Sequence, residues 1–298
     1  MNYKNDWFKW TYDGNAFGAR TSTESIFDIE IKPTVRSFKT FKEELLNNTR
    51  QIRDTFSEPL DLFFSGGVDS EVILRCHIEL KIPINVIIVK YENEYNALDL
   101  MHALRICNEL NVTPKIIDFN LEKFFENEAY EIWSKGMFLN SGRLPHMKML
   151  EYSDNIPIMG DANPTWFYDR GVWRYLFREV DYSQSVYAKI IGRDAVLDWY
   201  QHSPEVLLAH ALEEEIITMR SKFGTMDDFE KTKYRLNSRI WPSIKIRPKR
   251  VGFEGKLPFG HPMSKPEFML NFNQTHITFK NTHISFTEED FFNRMIIK

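Results

Sequence analysis

At 298 residues, 43% hydrophobic and 27% charged, the chain can bury a large core and has the composition of an ordinary globular protein. Its formal net charge of −4 argues against a general nucleic-acid binder, though not against a local basic groove. Two cysteines, Cys76 and Cys107, make no disulfide framework, no secretory h-region follows Met1, and no apolar run reaches membrane-span length. The expectation is a cytoplasmic protein without a membrane partner.

Residues 1–35 read as β. Trp7-Phe8-Lys9-Trp10-Thr11-Tyr12 and Ala16-Phe17-Gly18-Ala19-Arg20 flank the turn Asp13-Gly14-Asn15 as a hairpin, and Ile26-Phe27-Asp28-Ile29-Glu30-Ile31 adds a strand. The two tryptophans suit a sheet that covers the core better than a substrate wall. Residues 39–57 form a helix with Phe41, Leu45, Ile52 and Phe56 on one face, ended by Ser57-Glu58-Pro59.

The most informative stretch is 61–76. The apolar run Leu62-Phe63-Phe64 enters Ser65-Gly66-Gly67-Val68-Asp69-Ser70, and Val72, Ile73 and Cys76 then recur at helical spacing. This is a buried strand, a tight glycine turn and a helix. Adjacent glycines permit positive φ and close approach of a bulky anion, and the helix N-terminus offers unpaired N–H groups. No lysine occupies the turn, so it is not a G-x-x-x-x-G-K-[ST] loop. Asp69 would repel a phosphate unless it holds a metal ion bridging to it, as magnesium does; the competing reading is a simple helix cap.

Ser65, Gly66, Gly67, Val68, Asp69 and Ser70 together resemble the PP-loop of the N-type ATP pyrophosphatases, the superfamily of asparagine, GMP and NAD synthetases and several tRNA-modifying enzymes. The resemblance implies a doubly wound α/β domain of the adenine nucleotide alpha hydrolase-like type. It implies ATP with Mg2+, cleavage between the α- and β-phosphates, AMP transfer to a substrate oxygen, and displacement of AMP by ammonia or an amine. The glutaminase domain that some relatives carry begins with a catalytic cysteine; residue 2 here is Asn2, and the segment before the loop is too short for it.

Beyond the loop helix, Ile84-Asn85-Val86-Ile87-Ile88-Val89 is a β-branched run of a strand buried on both faces, residues 97–110 are helical, and Pro114-Lys115-Ile116-Ile117-Asp118-Phe119 is a third strand. The β-α-β-α-β order predicts a parallel sheet with the loop at its carboxyl edge. In the resembled family the end of the second strand frames the adenine, which maps to the neighbourhood of Val89. Residues 121–135 and 142–152 read as helices; Ser141 and Arg143 between them suit either a cap or a substrate contact.

Ile156-Pro157-Ile158-Met159 is a short strand running into Gly160-Asp161, which brings Asp161 to the same sheet edge as Asp69. Two carboxylates there can share a magnesium ion, and Gly160-Asp161 looks similar to the acidic loop of asparagine and NAD synthetases; an Asx turn is the alternative. Residues 166–193, rich in Trp, Tyr and Arg, read as a packed aromatic cluster, with a lid carrying Arg170 or Arg174 as the functional alternative. From 194 to 240 the pattern is helical, with Ser203-Pro204-Glu205 as a start signal. The basic run 241–256 offers Lys245 or Lys249 for the charge-neutralising role of a late lysine in the resembled asparagine synthetase, or is a solvated loop. Residues 276–286 read as a hairpin, explained by closure of the fold or a homodimer contact, and Thr287-Glu288-Glu289-Asp290 opens a helix.

The expected organisation is an N-terminal β segment and helix over 1–57, the ATP-binding α/β domain over 58–180, and a mostly helical substrate region over 181–298. The expected activity is adenylation of a small-molecule oxygen by an ATP-dependent ligase, with Asp69 and Asp161 on the metal and Lys245 or Lys249 on the pyrophosphate. Three alternatives stay open: sulfur transfer, a tRNA-modifying enzyme, and a regulatory module that binds ATP or AMP without turnover. Buried cysteines count against the first and the net charge against the second.

Overall fold

The computed structural model describes residues 7–34, 36–161, 164–221, 226–247 and 280–296. Three strands open it: β1 (Phe8–Tyr12), β2 (Asn15–Ala16) and β3 (Phe27–Ile31), an antiparallel sheet in the order β2-β1-β3. Trp7 and Trp10 are buried, so this sheet is a cover over the core, as the aromatic pattern predicts. Helix α1 (Phe41–Thr55) follows, started by a reciprocal box in which Thr40 and Glu43 bond each other's backbone. Its predicted face, Phe41, Leu45 and Ile52, is buried, with Phe56 just beyond the last turn.

The centre is a four-stranded parallel sheet: β4 (Leu60–Phe63), β5 (Asn85–Tyr91), β6 (Lys115–Phe119) and β7 (Ile156–Ile158), in the order β6-β5-β4-β7. Helices α2 (Val68–Leu80) and α3 (Ala97–Glu109) connect the first three strands. The route from β6 to β7 runs through α4 (Leu121–Asn127), α5 (Ala129–Ser134) and α6 (Leu144–Met149). The chain builds outward from β4 to β6 and then crosses back to lay β7 on the other side of β4. That reversal makes the carboxyl ends of β4 and β7 the topological switch point, where open parallel sheets bind ligands.

The aromatic stretch 166–178 is a hairpin, β8 (Trp166–Asp169) and β9 (Val172–Arg178), turned by Arg170 and Gly171, both at positive φ. Its inward residues Trp166, Tyr175 and Phe177 are buried, while the Arg170 side chain is 92% exposed and Arg174 lies 3.7 Å from Asp169. Helices α7 (Ser183–Ile190), α8 (Pro204–Ala211), α9 (Glu214–Ser221) and α10 (Met226–Ile240) follow. The predicted start holds, with Ser203 as N-cap and proline in the first turn of α8. Strand β10 (His283–Thr287) pairs antiparallel with β9 and leads into α11 (Glu288–Met295), capped by Thr287. The other arm of the expected terminal hairpin, 276–279, lies outside the described residues, as does Lys249. Among the described residues no helix is long and apolar enough to cross a membrane.

Candidate active site

Strand β4 is buried along its whole length, so the chain leaves the sheet rigidly and must turn within Ser65-Gly66-Gly67 before α2 begins. Gly66 takes φ +73°, and a Cβ there would stand 2.6 Å from the Ala103 amide nitrogen and 2.9 Å from the Asp99 carbonyl oxygen of α3. Both facts demand glycine. Gly67 is the N-cap and supplies no side-chain cap, so the first turn of α2 keeps its amide groups for another partner. The two serines brace the turn. Ser65 Oγ accepts from the Gly67 amide at 3.3 Å and lies 3.3 Å from Ser70 Oγ, which donates to the Gly67 carbonyl at 3.2 Å.

Asp69 stands on that first turn. Its Oδ2 accepts from Lys233 Nζ of α10 at 2.7 Å, while its Oδ1 is buried without a hydrogen-bond partner. Tyr200 donates to its backbone carbonyl at 3.4 Å; burial, then the nearby Asp69 charge, push that phenol well above its usual value, so it remains a donor. A buried carboxylate oxygen with no partner is costly unless a cation meets it. No group of three or more His, Cys, Asp and Glu side chains gathers as a metal cage among the described residues. One orphaned carboxylate oxygen beside a glycine turn with open helix amides fits magnesium, which takes one or two carboxylates and completes its shell with phosphate oxygens and water.

The end of β7 closes the crevice. A Cβ at Gly160 would lie 3.2 Å from the Asp69 Cβ, a tight contact, so glycine lets this strand end pack closely on α2. The predicted convergence of Gly160-Asp161 on Asp69 is therefore present in the backbone. The Asp161 side chain, however, is occupied: Arg143 bonds its Oδ1 and Gln184 Nε2 donates to its Oδ2 at 2.9 Å. Arg143 also approaches Asp181 at 4.0 Å, and Asp181 takes two 2.8 Å bonds from Arg178. Arg143 is thus a partly exposed cation at the crevice, with Asp161 as its anchor. Asp198 pairs its backbone with Gly160, and burial pushes its carboxyl up to about 7.

Val89 lies near the end of β5, its carbonyl accepting from Asn96 Nδ2 at 2.8 Å. Lys245 is exposed and bonds back to the Pro242 carbonyl at 3.1 Å; the lysine on Asp69 is Lys233. Sequence reasoning passed over Lys233 because one lysine on an amphipathic helix ordinarily marks a solvated face, and 164 residues separate it from its partner. Nothing local signals the pairing.

No family model matches the chain, and no curated protein does. Among solved structures, an NH3-dependent NAD synthetase from Campylobacter jejuni is 14% identical, with 70% of this chain and 87% of that chain covered and a TM-score of 0.32. An NMN synthetase from Francisella tularensis is 15% identical, with 70% and 97% covered and a TM-score of 0.35.

Proposed function

We propose that the protein is an ATP-dependent synthetase of the N-type ATP pyrophosphatase kind. In this reading ATP binds at Ser65–Ser70, with its adenine beside the main chain of Val89. An oxygen of a small-molecule acceptor (carboxylate, amide or ring carbonyl) attacks the α-phosphorus, and the bond to the bridging oxygen breaks as pyrophosphate leaves with the electron pair. Ammonia or an amine then displaces AMP from the activated acceptor.

The observation that carries this reading is the state of Asp69, with one oxygen on Lys233 and the other unpartnered at the mouth of a glycine turn. The open amides of α2 and the Ser65 and Ser70 hydroxyls suit the phosphate oxygens, and Lys233 suits the charge that grows on the departing pyrophosphate. Asp69 Oδ1 would hold a magnesium ion, which would supply neutralisation of the phosphate charge. Asp161, with both oxygens engaged, serves as the anchor that aims Arg143 at the acceptor. A sulfur-transfer enzyme needs an accessible thiolate, and this supports adenylation instead: Cys76 and Cys107 are both buried, and burial raises the Cys107 thiol to about 11 and that of Cys76 further.

The test is product analysis after incubation with ATP, magnesium and a panel of amino acids, other carboxylic acids and bulk tRNA, with and without ammonium. AMP and pyrophosphate that appear with one acceptor and vanish in Asp69→Ala are the expected result. ADP and phosphate overturn the reading.

A further inference from the structure

Two residues beyond Asp69, the same helical turn carries a second acid, Glu71, only 1% exposed. A buried carboxylate beside a site for a polyanion is doubly unfavourable: it loses hydration and it repels the ligand. Two arginines answer it. Arg75, one turn along α2, donates from Nε and Nη2 to Oε1 at 2.8 and 2.6 Å. Arg247, in the segment after α10, brings Nη2 to 2.7 Å from Oε2 as a buried ion pair without hydrogen-bond geometry, its own side chain only 5% exposed. Both Arg75 bonds go to Oε1, and the Arg247 guanidinium faces Oε2. Arg247 is therefore a second cation at a position where one already holds the acid.

What Arg247 adds is reach. Its guanidinium also lies 5.6 Å from the ring centroid of Tyr234, the residue next to Lys233 on α10. One buried side chain thus touches α2 beside Asp69 and α10 beside Lys233. A second tie between the two helices' neighbourhoods, Trp241 Nε1 donating to Glu79 Oε2 at 3.1 Å, lies at the opposite end of α2. Among the described residues, Arg75 and Arg247 thus pair with Glu71 while Lys233 pairs with Asp69.

We propose that Arg247 is a positioning residue: by bridging Glu71 and Tyr234 it holds α10 against the loop end of α2 and so sets Lys233 at Asp69. The inference rests on the ATP-binding reading above. It assigns this task to Arg247 in the segment after α10.

The experiment is a double-mutant cycle read by MgATP affinity in titration calorimetry, with the wild type, Arg247→Gln, Lys233→Ala and the double variant, and Arg247→Lys as the conservative control. Each single variant is expected to weaken MgATP about tenfold, and the double variant no further than the weaker single one, because one acts through the other. Arg247→Lys keeps the charge but not the planar contact to Tyr234, and should fall between wild type and Arg247→Gln. Arg75 remains on Glu71 in every variant, so the fold has its main counter-charge; Arg247→Lys carries the test should Arg247→Gln fail to fold. Wild-type affinity in Arg247→Gln, or strictly additive losses in the cycle, overturns the inference and leaves the ATP site intact. A wild-type protein that does not bind MgATP overturns the ATP reading and this inference with it.

Discussion

Two of the cation–carboxylate pairs among the described residues are built to opposite specifications. Arg20 and Glu179 join the N-terminal sheet to the end of β9. Arg20 Nε and Nη2 donate to the two Glu179 oxygens at 2.8 and 2.6 Å, and Tyr12 adds a third bond at 2.9 Å. The other arm of the guanidinium donates to the Ser25 carbonyl at 2.8 Å and reaches those of Ser22 and Thr23. Both side chains are at most 3% exposed. Lys233 and Asp69 share one contact, at 12% and 24% exposure, and leave a carboxylate oxygen with no hydrogen bond. A buried pair with both carboxylate oxygens hydrogen-bonded holds parts together, whereas a partly exposed pair with one oxygen lacking a hydrogen bond suits the ligand role proposed above.

The comparison breaks most sharply on stability. Arg20→Met strands Glu179 without its cation and is expected to cost about 3–5 kcal/mol in urea unfolding. A loss under about 1 kcal/mol would put the two pairs in one class. Lys233→Ala should do the reverse, lowering the unfolding free energy by no more than about 1 kcal/mol, as for other partly exposed pairs. AMP formation should fall about a hundredfold, the order of loss for a group that meets developing charge.

A smaller effect separates pH dependence from either pair. His77 and His210 are buried, and burial lowers their pKa to about 4 and about 3. Both stay neutral in the fold, whereas the unfolded chain protonates them near pH 6.5. Their contribution is complete above that pH and is lost as pH falls toward 4. His210→Leu should flatten the decline in thermal midpoint over that window, by the equivalent of about 1–2 kcal/mol at pH 5. Smallest of all, Lys245→Ala should change neither stability nor AMP formation beyond about 0.5 kcal/mol, because among the described residues this exposed lysine bonds only to its own turn.

What was legible in the sequence follows from how local each signal is. The strand, glycine turn and helix at 60–80 announce themselves within twenty residues, because sheet burial, positive φ and amphipathic spacing are each properties of neighbours. The parallel order of β4, β5 and β6 follows from their alternation with helices. The β8–β9 hairpin was hidden by its own composition, since large aromatics on both faces mask the alternation; Arg170-Gly171, both at positive φ, was the turn signal available. The basic run at 241–256 drew attention to Lys245, while Lys233 on a polar-looking helix did not. Charge is visible in a sequence, but the partner that gives it meaning lies across the fold.

That separation also has a history in time. Asp69 precedes Lys233 by 164 residues, and Arg20 precedes Glu179 by 159. At a synthesis rate of about 5–20 residues per second, roughly 8–30 s pass between the emergence of one member of each pair and the other. Over that interval the nascent chain displays the glycine turn and its aspartate with no lysine to balance it, and an arginine destined for the interior remains in water. Glu179 in the middle third of the chain thus completes the sheet that covers the core, and Lys233 in the last third completes the pair at the glycine turn, so a ribosome that stalls after β7 releases a chain with Arg20 and Asp69 both lacking their counter-charges.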